Sequence, residues 1–164
     1  MSKLFSFPNP ANDTSARIVA TGVVIMAVAF LITGNGWVLL PLTYGFAARV
    51  ASGPTLSPLG QLSVRVITPL IKVQHKLVPG PPKRFAQTVG LVFTGTASGF
   101  YLAHNLTAAR IVIAMLVAAA SLEAFLGYCL GCKMFAILMR LGLIPEEVCA
   151  ECNDISLRLR TNAQ

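Results

Sequence analysis

The stretch IVIAMLVAAASLEAFLGYCLGC, at residues 111–132, contains one charged side chain, that of Glu123. A helix that crosses a bilayer needs about 20 mainly apolar residues, so this stretch is long enough for one crossing. Residues 18–48 and 85–109 contain no Asp, Glu, Lys or Arg. These long apolar stretches predict that the chain is an integral membrane protein.

The composition of the whole chain supports the same prediction. Hydrophobic residues make up 55% of the sequence and charged residues 12%, about half the charged share of a soluble domain. A soluble protein of 164 residues could not cover its surface with so few charges. The composition also excludes a disordered chain, a coiled coil and a disulfide-stabilised miniprotein.

The first apolar stretch is interrupted by a turn signal, TGNG at residues 33–36. It predicts a hairpin of two helices, at about residues 17–33 and 37–50, each short for a full crossing. A re-entrant hairpin that does not cross the bilayer is the alternative. Two further helices are predicted at about residues 85–103 and 110–141.

The segment between the second and third predicted helices contains only basic charges. They are Arg49, Arg65, Lys72, Lys76, Lys83 and Arg84. Basic loops stay in the cytoplasm, so this segment predicts four passes with both termini on the cytoplasmic side of the inner membrane. Because these cations orient the helices, the net charge of +7 does not indicate a nucleic-acid partner. Apolar residues at intervals of three and four predict an amphipathic helix in the lipid interface at about residues 57–77.

The four cysteines form two CxxC pairs near the end of the chain, Cys129 with Cys132 and Cys149 with Cys152. The 16 residues between the pairs match the spacing of a four-thiolate metal site. The first pair is predicted near the cytoplasmic end of the fourth helix. The second pair is predicted on a short cytoplasmic tail helix at about residues 145–153.

Three interpretations of the cysteines stay open. They are redox dithiols that exchange electrons or sulfur with a soluble protein, ligands of zinc or an iron–sulfur cluster, or small buried residues. Cytoplasmic thiols are kept reduced, so a disulfide there would be transient and catalytic. Lys133 follows Cys129 by four residues and would favour its thiolate.

Glu123 is the second residue that suggests chemistry, because a carboxylate within a spanning helix is a functional candidate. The small and hydroxyl-bearing residues TGTASG at 94–99 are expected to supply its hydrogen-bond partners. At about 100° per residue, Glu123 is expected to point away from Cys132. It is interpreted either as a packed, hydrogen-bonded side chain or as a proton relay.

Four stretches carry a resemblance to a known family. They are SPLG at residues 57–60, PKRFAQ at 82–87, the run from LEA to GYCLGC at 122–132, and LGLIPEEVCAECN at 141–153. Over about residues 10–153 the chain resembles the bacterial membrane family known as domain of unknown function 4395. The resemblance implies thiol or sulfane-sulfur chemistry with a thioredoxin-like or sulfurtransferase-like soluble partner.

We therefore expect one membrane domain over residues 1–164, an all-α bundle of four spanning helices with an interfacial helix and a short tail helix. Its expected function is a membrane-anchored thiol–disulfide or sulfur-transfer component facing the cytoplasm. Cys129 and Cys132 would form one dithiol and Cys149 and Cys152 the accessible one, while Lys83 and Arg84 would hold an anionic sulfur species or a partner. The alternative is a non-enzymatic membrane scaffold or assembly subunit whose four cysteines bind a structural metal.

Overall fold

A computed structural model describes residues 11–53, 55–67, 70, 77–145 and 148. These residues form six α-helices and one pair of two-residue strands, which confirms the all-α class. The helices are α1 (Asp13–Thr33), α2 (Leu39–Ser52), α3 (Pro58–Leu62), α4 (Gly80–Leu102), α5 (Leu106–Leu126) and α6 (Leu130–Arg140). A 3₁₀ turn, Gly36–Val38, precedes α2, and a π-helical turn, Ser63–Ile67, follows α3.

The turn between α1 and α2 lies at the residues that the sequence indicates. Gly34 has a φ of 65°, a conformation that glycine adopts without a steric penalty. The Asn35 side chain accepts a hydrogen bond from the backbone N–H of Trp37 at 3.1 Å. The first helix begins at Asp13, four residues before the predicted start at residue 17. An acidic residue in the first turn favours this start because it complements the helix dipole.

Helices α1, α2, α4 and α5 surround the hydrophobic core. Its buried members are Val19, Val23, Ala27, Phe30, Leu39, Leu42, Phe46, Ala97, Ala109, Ile113, Leu116 and Ala120. Small residues allow the close packing: a Cβ added at Gly90 of α4 would overlap the ring of Phe46 from α2. Helix α6 packs closely against α4, since a Cβ added at Gly131 would lie 2.6 Å from the Cα of Ala86.

Two of the described helices, α1 and α5, are long and apolar enough to cross a membrane. Large apolar side chains also cover the outside of the bundle. Those more than half exposed include Ile25, Ile32, Trp37, Leu40, Val92, Leu102, Ile111 and Phe125. An apolar exterior of this kind is typical of a surface in contact with lipid.

The predicted fourth helix, residues 110–141, is wrong as a single element, because the chain forms two helices there. Helix α5 ends at Leu126, and Gly127 follows in the left-handed conformation, with φ 64°. A left-handed glycine is a common end of a helix because it turns the chain out of the helical path. Arg17 of α1 stabilises this end, donating hydrogen bonds to the carbonyls of Ala124 at 3.3 Å and Phe125 at 3.0 Å.

The predicted interfacial helix, residues 57–77, is described only in part: α3 and the π-helical turn cover residues 58–67, and residues 68–69 and 71–76 lie outside the described residues. Ser57 is the N-cap of α3, its side chain accepting a hydrogen bond from the N–H of Gly60 at 3.3 Å, but Leu77–Val78, at the predicted end, is extended. This strand pairs antiparallel with Ala11–Asn12, which fixes the start of α4 beside the start of α1. Val78 precedes Pro79, and a residue before proline favours an extended backbone. The predicted tail helix, 145–153, lies largely outside the described residues, together with Cys149 and Cys152.

Candidate functional site

The first cysteine pair lies at the start of α6 and not within a continuous helix. Cys129 is the N-cap residue of α6, and its sulfur accepts a hydrogen bond from the backbone N–H of Cys132 at 3.3 Å. The break at Gly127 creates this position, since α6 can only begin after α5 has ended. The N-terminus of a helix carries a partial positive charge, which stabilises a thiolate at Cys129.

The two thiols are free, half-buried and interact with each other. Hydrogen bonding between them lowers the pKa of the Cys129 thiol and raises the pKa of the Cys132 thiol. Burial and the charge of Glu123 partly oppose the change at Cys129, while the Lys83 ammonium supports it. Cys129, which caps α6, is therefore the more acidic thiol of the pair, and Cys132 serves as its hydrogen-bond donor.

The cation that supports the Cys129 thiolate is Lys83 and not Lys133, which was the predicted one. The Lys133 ammonium lies over the ring of Tyr128, 5.5 Å from its centroid. It thus faces an aromatic side chain. Lys133 does follow Cys129 by one helical turn, its N–H donating to the Cys129 carbonyl at 3.1 Å, but its ammonium is directed at Tyr128.

Lys83 is the centre of a buried ion cluster, which we call the Lys83 cluster: Asp13, Lys83 and Glu123. The ammonium nitrogen lies 2.8 Å from Oδ1 of Asp13 and 2.8 Å from Oε1 of Glu123. Its side chain is only 6% exposed. Two carboxylates of the protein thus already neutralise Lys83, and its binding of an anionic sulfur species stays a prediction. Asp13 contributes since α1 begins earlier than the sequence indicated.

Arg84, the second predicted anion-binding residue, points in a different direction from Lys83. Its side chain is exposed, and its Nε donates a hydrogen bond to the carbonyl of Val50 near the end of α2 at 3.0 Å. A cation at this position interacts favourably with the carbonyl groups at a helix C-terminus. Binding of an anion or a partner by Arg84 stays a prediction.

Two expectations about Glu123 are wrong. Glu123 accepts a hydrogen bond from Lys83, whereas the hydroxyl of Thr94 donates to carbonyls of its own helix, those of Gly90 and Leu91. Glu123 also lies on the same cavity as Cys129. The angular estimate that separated Glu123 from the cysteines assumed one continuous helix, and the break at Gly127 removes that assumption.

Glu123 and Cys129 both line an apolar cavity of about 360 Å³, which we call the interhelical cavity. Helices α1, α2, α4 and α5 and the first turn of α6 form its walls, mostly with alanine, valine and other apolar side chains. Its polar lining consists of Arg49, Gln87 and Glu123, and the sulfur-bearing Cys129 also lines it. A largely apolar cavity of this size with a few polar groups is typical of a small-molecule site.

Arg49 is the residue that sequence reasoning missed, because it was counted only among the basic charges that orient the helices. It is instead buried, with 4% of its surface exposed. Its Nε donates to Oε1 of Gln87 at 2.8 Å and its Nη1 to the hydroxyl of Ser57 at 3.3 Å. The guanidinium also lies 4.6 Å from the ring centroid of Phe46. Its buried Nη2 has no hydrogen-bond partner among the described residues.

Only one feature of the sequence is consistent with a buried Arg49 side chain, the glycine at position 45. Gly45 lies one turn earlier on the same face, and a Cβ there would come within 3.3 Å of Nη1. The guanidinium can therefore fold back along its own helix. Gln87 and Asp13, which complete the polar surroundings, come from other helices and could not be assigned to Arg49 or Lys83 from spacing.

A metal site with four thiolates is not tested by the structure. Within residues 11–53, 55–67, 70, 77–145 and 148, no group of three or more His, Cys, Asp or Glu side chains could hold a metal ion. Cys149 and Cys152 are not among them, so zinc or iron–sulfur binding by the four cysteines stays a prediction.

Comparison with known proteins identifies the family. No curated protein and no solved structure matches the chain. The family model described as Domain of unknown function (DUF4395) matches residues 11–140, which include the Lys83 cluster and the first cysteine pair. The second cysteine pair follows the matched residues, although the resemblance was expected to extend to about residue 153. Because the match covers well over half of the sequence, the chain belongs to the DUF4395 family.

Proposed function

We propose that the protein is a membrane-embedded thiol–disulfide component in which Cys129 and Cys132 exchange electrons with a soluble thioredoxin-like protein. The observation that carries this proposal is the geometry of the pair. Cys129 occupies the N-cap of α6, accepts a hydrogen bond from the N–H of Cys132, and lies beside the buried Lys83 cluster. Helix N-termini and neighbouring cations are the surroundings that activate cysteines.

The proposed location is the inner (cytoplasmic) membrane, with four passes and with the termini and the cysteines on the cytoplasmic side. Its support is the apolar exterior of the bundle and the unequal charge at its two ends. Asp13, Arg17, Arg49, Lys83, Arg84 and Glu123 all lie toward the end where α1 and α4 begin. The opposite end, with the α1–α2 and α4–α5 turns, has His104 and Arg110. A basic end stays in the cytoplasm.

The direction of electron flow follows from the stabilised thiolate. A disulfide becomes a better oxidant when the reduced state of the pair is stabilised. We therefore propose that the Cys129–Cys132 disulfide accepts electrons from the partner's dithiol. One partner thiolate attacks the sulfur of Cys132, and Cys129 leaves as a thiolate. The partner's second thiol then displaces the Cys132 thiol, so one disulfide is broken and one is formed.

Sulfur transfer is the related reaction at the same site. In that reaction the Cys129 thiolate attacks the outer sulfur of a partner's persulfide and takes over that sulfur, while the partner leaves as a thiolate. The same N-cap geometry supports it, because both reactions need a nucleophilic and partly accessible thiolate.

The experiment is to trap the partner on the purified protein in detergent. The oxidised protein is mixed with a reduced thioredoxin whose resolving cysteine is replaced by serine, and covalent adducts are counted by mass spectrometry. We expect an adduct with the wild-type protein and none with the Cys129→Ser/Cys132→Ser variant. The Cys149→Ser/Cys152→Ser variant is the matched control and should form the same adduct as the wild type.

Two outcomes would overturn the proposal. One is an adduct that persists in the variant without Cys129 and Cys132 but disappears in the variant without Cys149 and Cys152. The other is a stoichiometric metal in the wild-type protein together with no titratable thiols, which would favour the scaffold with a structural four-cysteine site.

A further inference from the structure

We propose that the interhelical cavity binds the head group of a quinone, whose carbonyl oxygen accepts a hydrogen bond from Nη2 of Arg49. We further propose that this quinone is the electron acceptor of the Cys129–Cys132 dithiol. The claim that a quinone binds is argued from the cavity and Arg49. The claim that the quinone oxidises the dithiol rests on the proposed thiol–disulfide function.

The first support is the unpartnered nitrogen of Arg49. Nε and Nη1 of this guanidinium are bonded to Gln87 and Ser57, but Nη2 is buried without a partner among the described residues. A buried donor without an acceptor is destabilising, and most buried donors are paired. Since Arg49 lines the interhelical cavity, a ligand there with an acceptor oxygen would supply the missing bond.

The second support is the shape and polarity of the cavity. Its volume of about 360 Å³ is large enough for a substituted aromatic ring, and its walls are apolar with small side chains such as Ala16, Ala86 and Ala119. The cavity lies between helices whose outer faces carry exposed apolar side chains. An apolar ligand dissolved in the membrane is therefore the class that fits this site.

The third support is charge balance, which favours a neutral acceptor over an anion. The charges near the cavity are two buried cations, Arg49 and Lys83, and two partly buried carboxylates, Asp13 and Glu123. Glu123 is close enough to Arg49 to interact with it electrostatically. A carboxylate ligand would add an unbalanced buried charge, which is costly, whereas a quinone carbonyl would not.

The fourth support is the position of Cys129 on the wall of the same cavity. The proposed reaction is balanced between the two partners. The Cys129 thiolate and the Cys132 thiol form one S–S bond, and two electrons pass to the quinone; its two carbonyl oxygens take up two protons, one from Cys132 and one from solvent that replaces the proton Cys129 has released. The quinone leaves as a quinol, and the disulfide is ready to accept electrons from a soluble dithiol.

The test measures binding and reduction of a short-chain ubiquinone by the detergent-solubilised full chain. Binding is measured by equilibrium dialysis, and reduction by the absorbance change of the quinone after the protein is reduced and excess reductant removed. We expect Arg49→Gln to weaken binding by about tenfold or more, the loss of one buried hydrogen bond to a charged donor. Arg110→Gln is the matched control and should leave binding unchanged. Its guanidinium lies beside Gly34 at the opposite end of the bundle and also has a buried nitrogen without a partner.

A second variant keeps the test decisive if Arg49→Gln does not fold. Ala119→Leu would fill part of the cavity without touching the guanidinium contacts, and we expect it to abolish quinone binding while circular dichroism stays that of the wild type. The Cys132→Ser variant, whose replaced side chain is not part of the cavity wall, should still bind quinone and reduce none of it.

The outcomes separate this inference from the proposed function. No saturable quinone binding, or binding unaffected by both Arg49→Gln and Ala119→Leu, would overturn the quinone site even where the thioredoxin adduct still forms. Saturable binding of oleate but not of quinone, dependent on Arg49, would assign the cavity to a lipid carboxylate and overturn the inference. Quinone that binds but is not reduced by the dithiol would overturn its role as acceptor.

Discussion

At the scale of single residues, the most consequential side chain is Lys83. Its ammonium lies between two carboxylates in a place where water has little access. A buried ion pair adds little stability compared with apolar side chains of the same volume, but removing one partner leaves an uncompensated buried charge. The cluster thus specifies how α1, α4 and α5 come together, because each of these helices contributes one member.

Replacing the central cation should destabilise the protein strongly. We expect Lys83→Met to lower the free energy of unfolding by about 3–5 kcal/mol, since Asp13 and Glu123 would face each other without a cation. Thermal unfolding in detergent, followed by circular dichroism, measures the loss. The neighbouring Arg84→Met is the control and should cost about 1 kcal/mol or less, because its side chain is exposed. Equal losses for the two variants would contradict a buried cluster.

The reactivity of Cys129 should depend on the hydrogen bond from Cys132. We expect Cys132→Ala to raise the pKa of Cys129, because the side-chain donor is lost. A rise of one unit means about tenfold less thiolate, and so tenfold slower alkylation, at a pH below both values. Iodoacetamide labelling across a pH series, read by mass spectrometry, measures this change. Cys132→Ser retains a hydroxyl donor and should alter the profile less; a larger effect of serine than of alanine would refute the hydrogen bond.

At the scale of elements, the ends of the helices decide where the chemistry lies. The turn at residues 33–36 could be predicted because two glycines and an asparagine occur together between apolar segments. The break at Gly127 could not, because a single glycine in an apolar stretch is equally compatible with a continuous helix. A tertiary contact stabilises the end of α5, because Arg17 of α1 donates hydrogen bonds to carbonyls in its last turn. The position of Cys129 as a cap residue depends on that distant contact.

The contact between α4 and α6 should be sensitive to one methyl group. We expect Gly131→Ala to lower the free energy of unfolding by about 1–3 kcal/mol, since its Cβ would meet the backbone of Ala86 at 2.6 Å and push the helices apart. Thiol–disulfide exchange by Cys129 should slow as well, because α6 carries the cap. Gly95→Ala is the matched control within α4: a Cβ there meets no atom within 4 Å among the described residues. It should be neutral or stabilising by up to about 1 kcal/mol, and the same loss at both positions would exclude a packing effect.

At the scale of the whole molecule, the charges are sorted to one end and the apolar side chains to the outside. Composition alone indicates the membrane, and the acid-free segment indicates an orientation. The partners of Lys83 and Arg49 could not be predicted in this way. Asp13 and Gln87 are 70 and 38 residues from the cations that they meet, so only the packing of the helices brings them together. The candidate site is thus a product of tertiary structure more than of a motif.

The orientation is testable with one introduced cysteine. In a variant whose four native cysteines are replaced by serine, His104→Cys places a thiol in the turn between α4 and α5. We expect a membrane-impermeant maleimide to label this thiol in intact cells, because the turn lies at the end of the bundle opposite Lys83 and Arg84. A second variant that retains only Cys129 should be labelled only after the cells are permeabilised. Labelling of both thiols from the same side would contradict the proposed topology.

The three members of the Lys83 cluster are synthesised at different times, so the cluster can be completed only late in translation. Asp13 and Lys83 are synthesised before Glu123, which follows Lys83 by 40 residues. Domains form as the chain emerges from its N-terminus. Until α5 is made, Lys83 has one carboxylate and Arg17 has no helix end to bond, so the first three long helices lack contacts that they hold in the finished protein. Chains truncated before residue 123 should therefore be degraded by membrane proteases faster than the full chain. Helix α5 is the element that supplies the missing partners of Lys83 and Arg17.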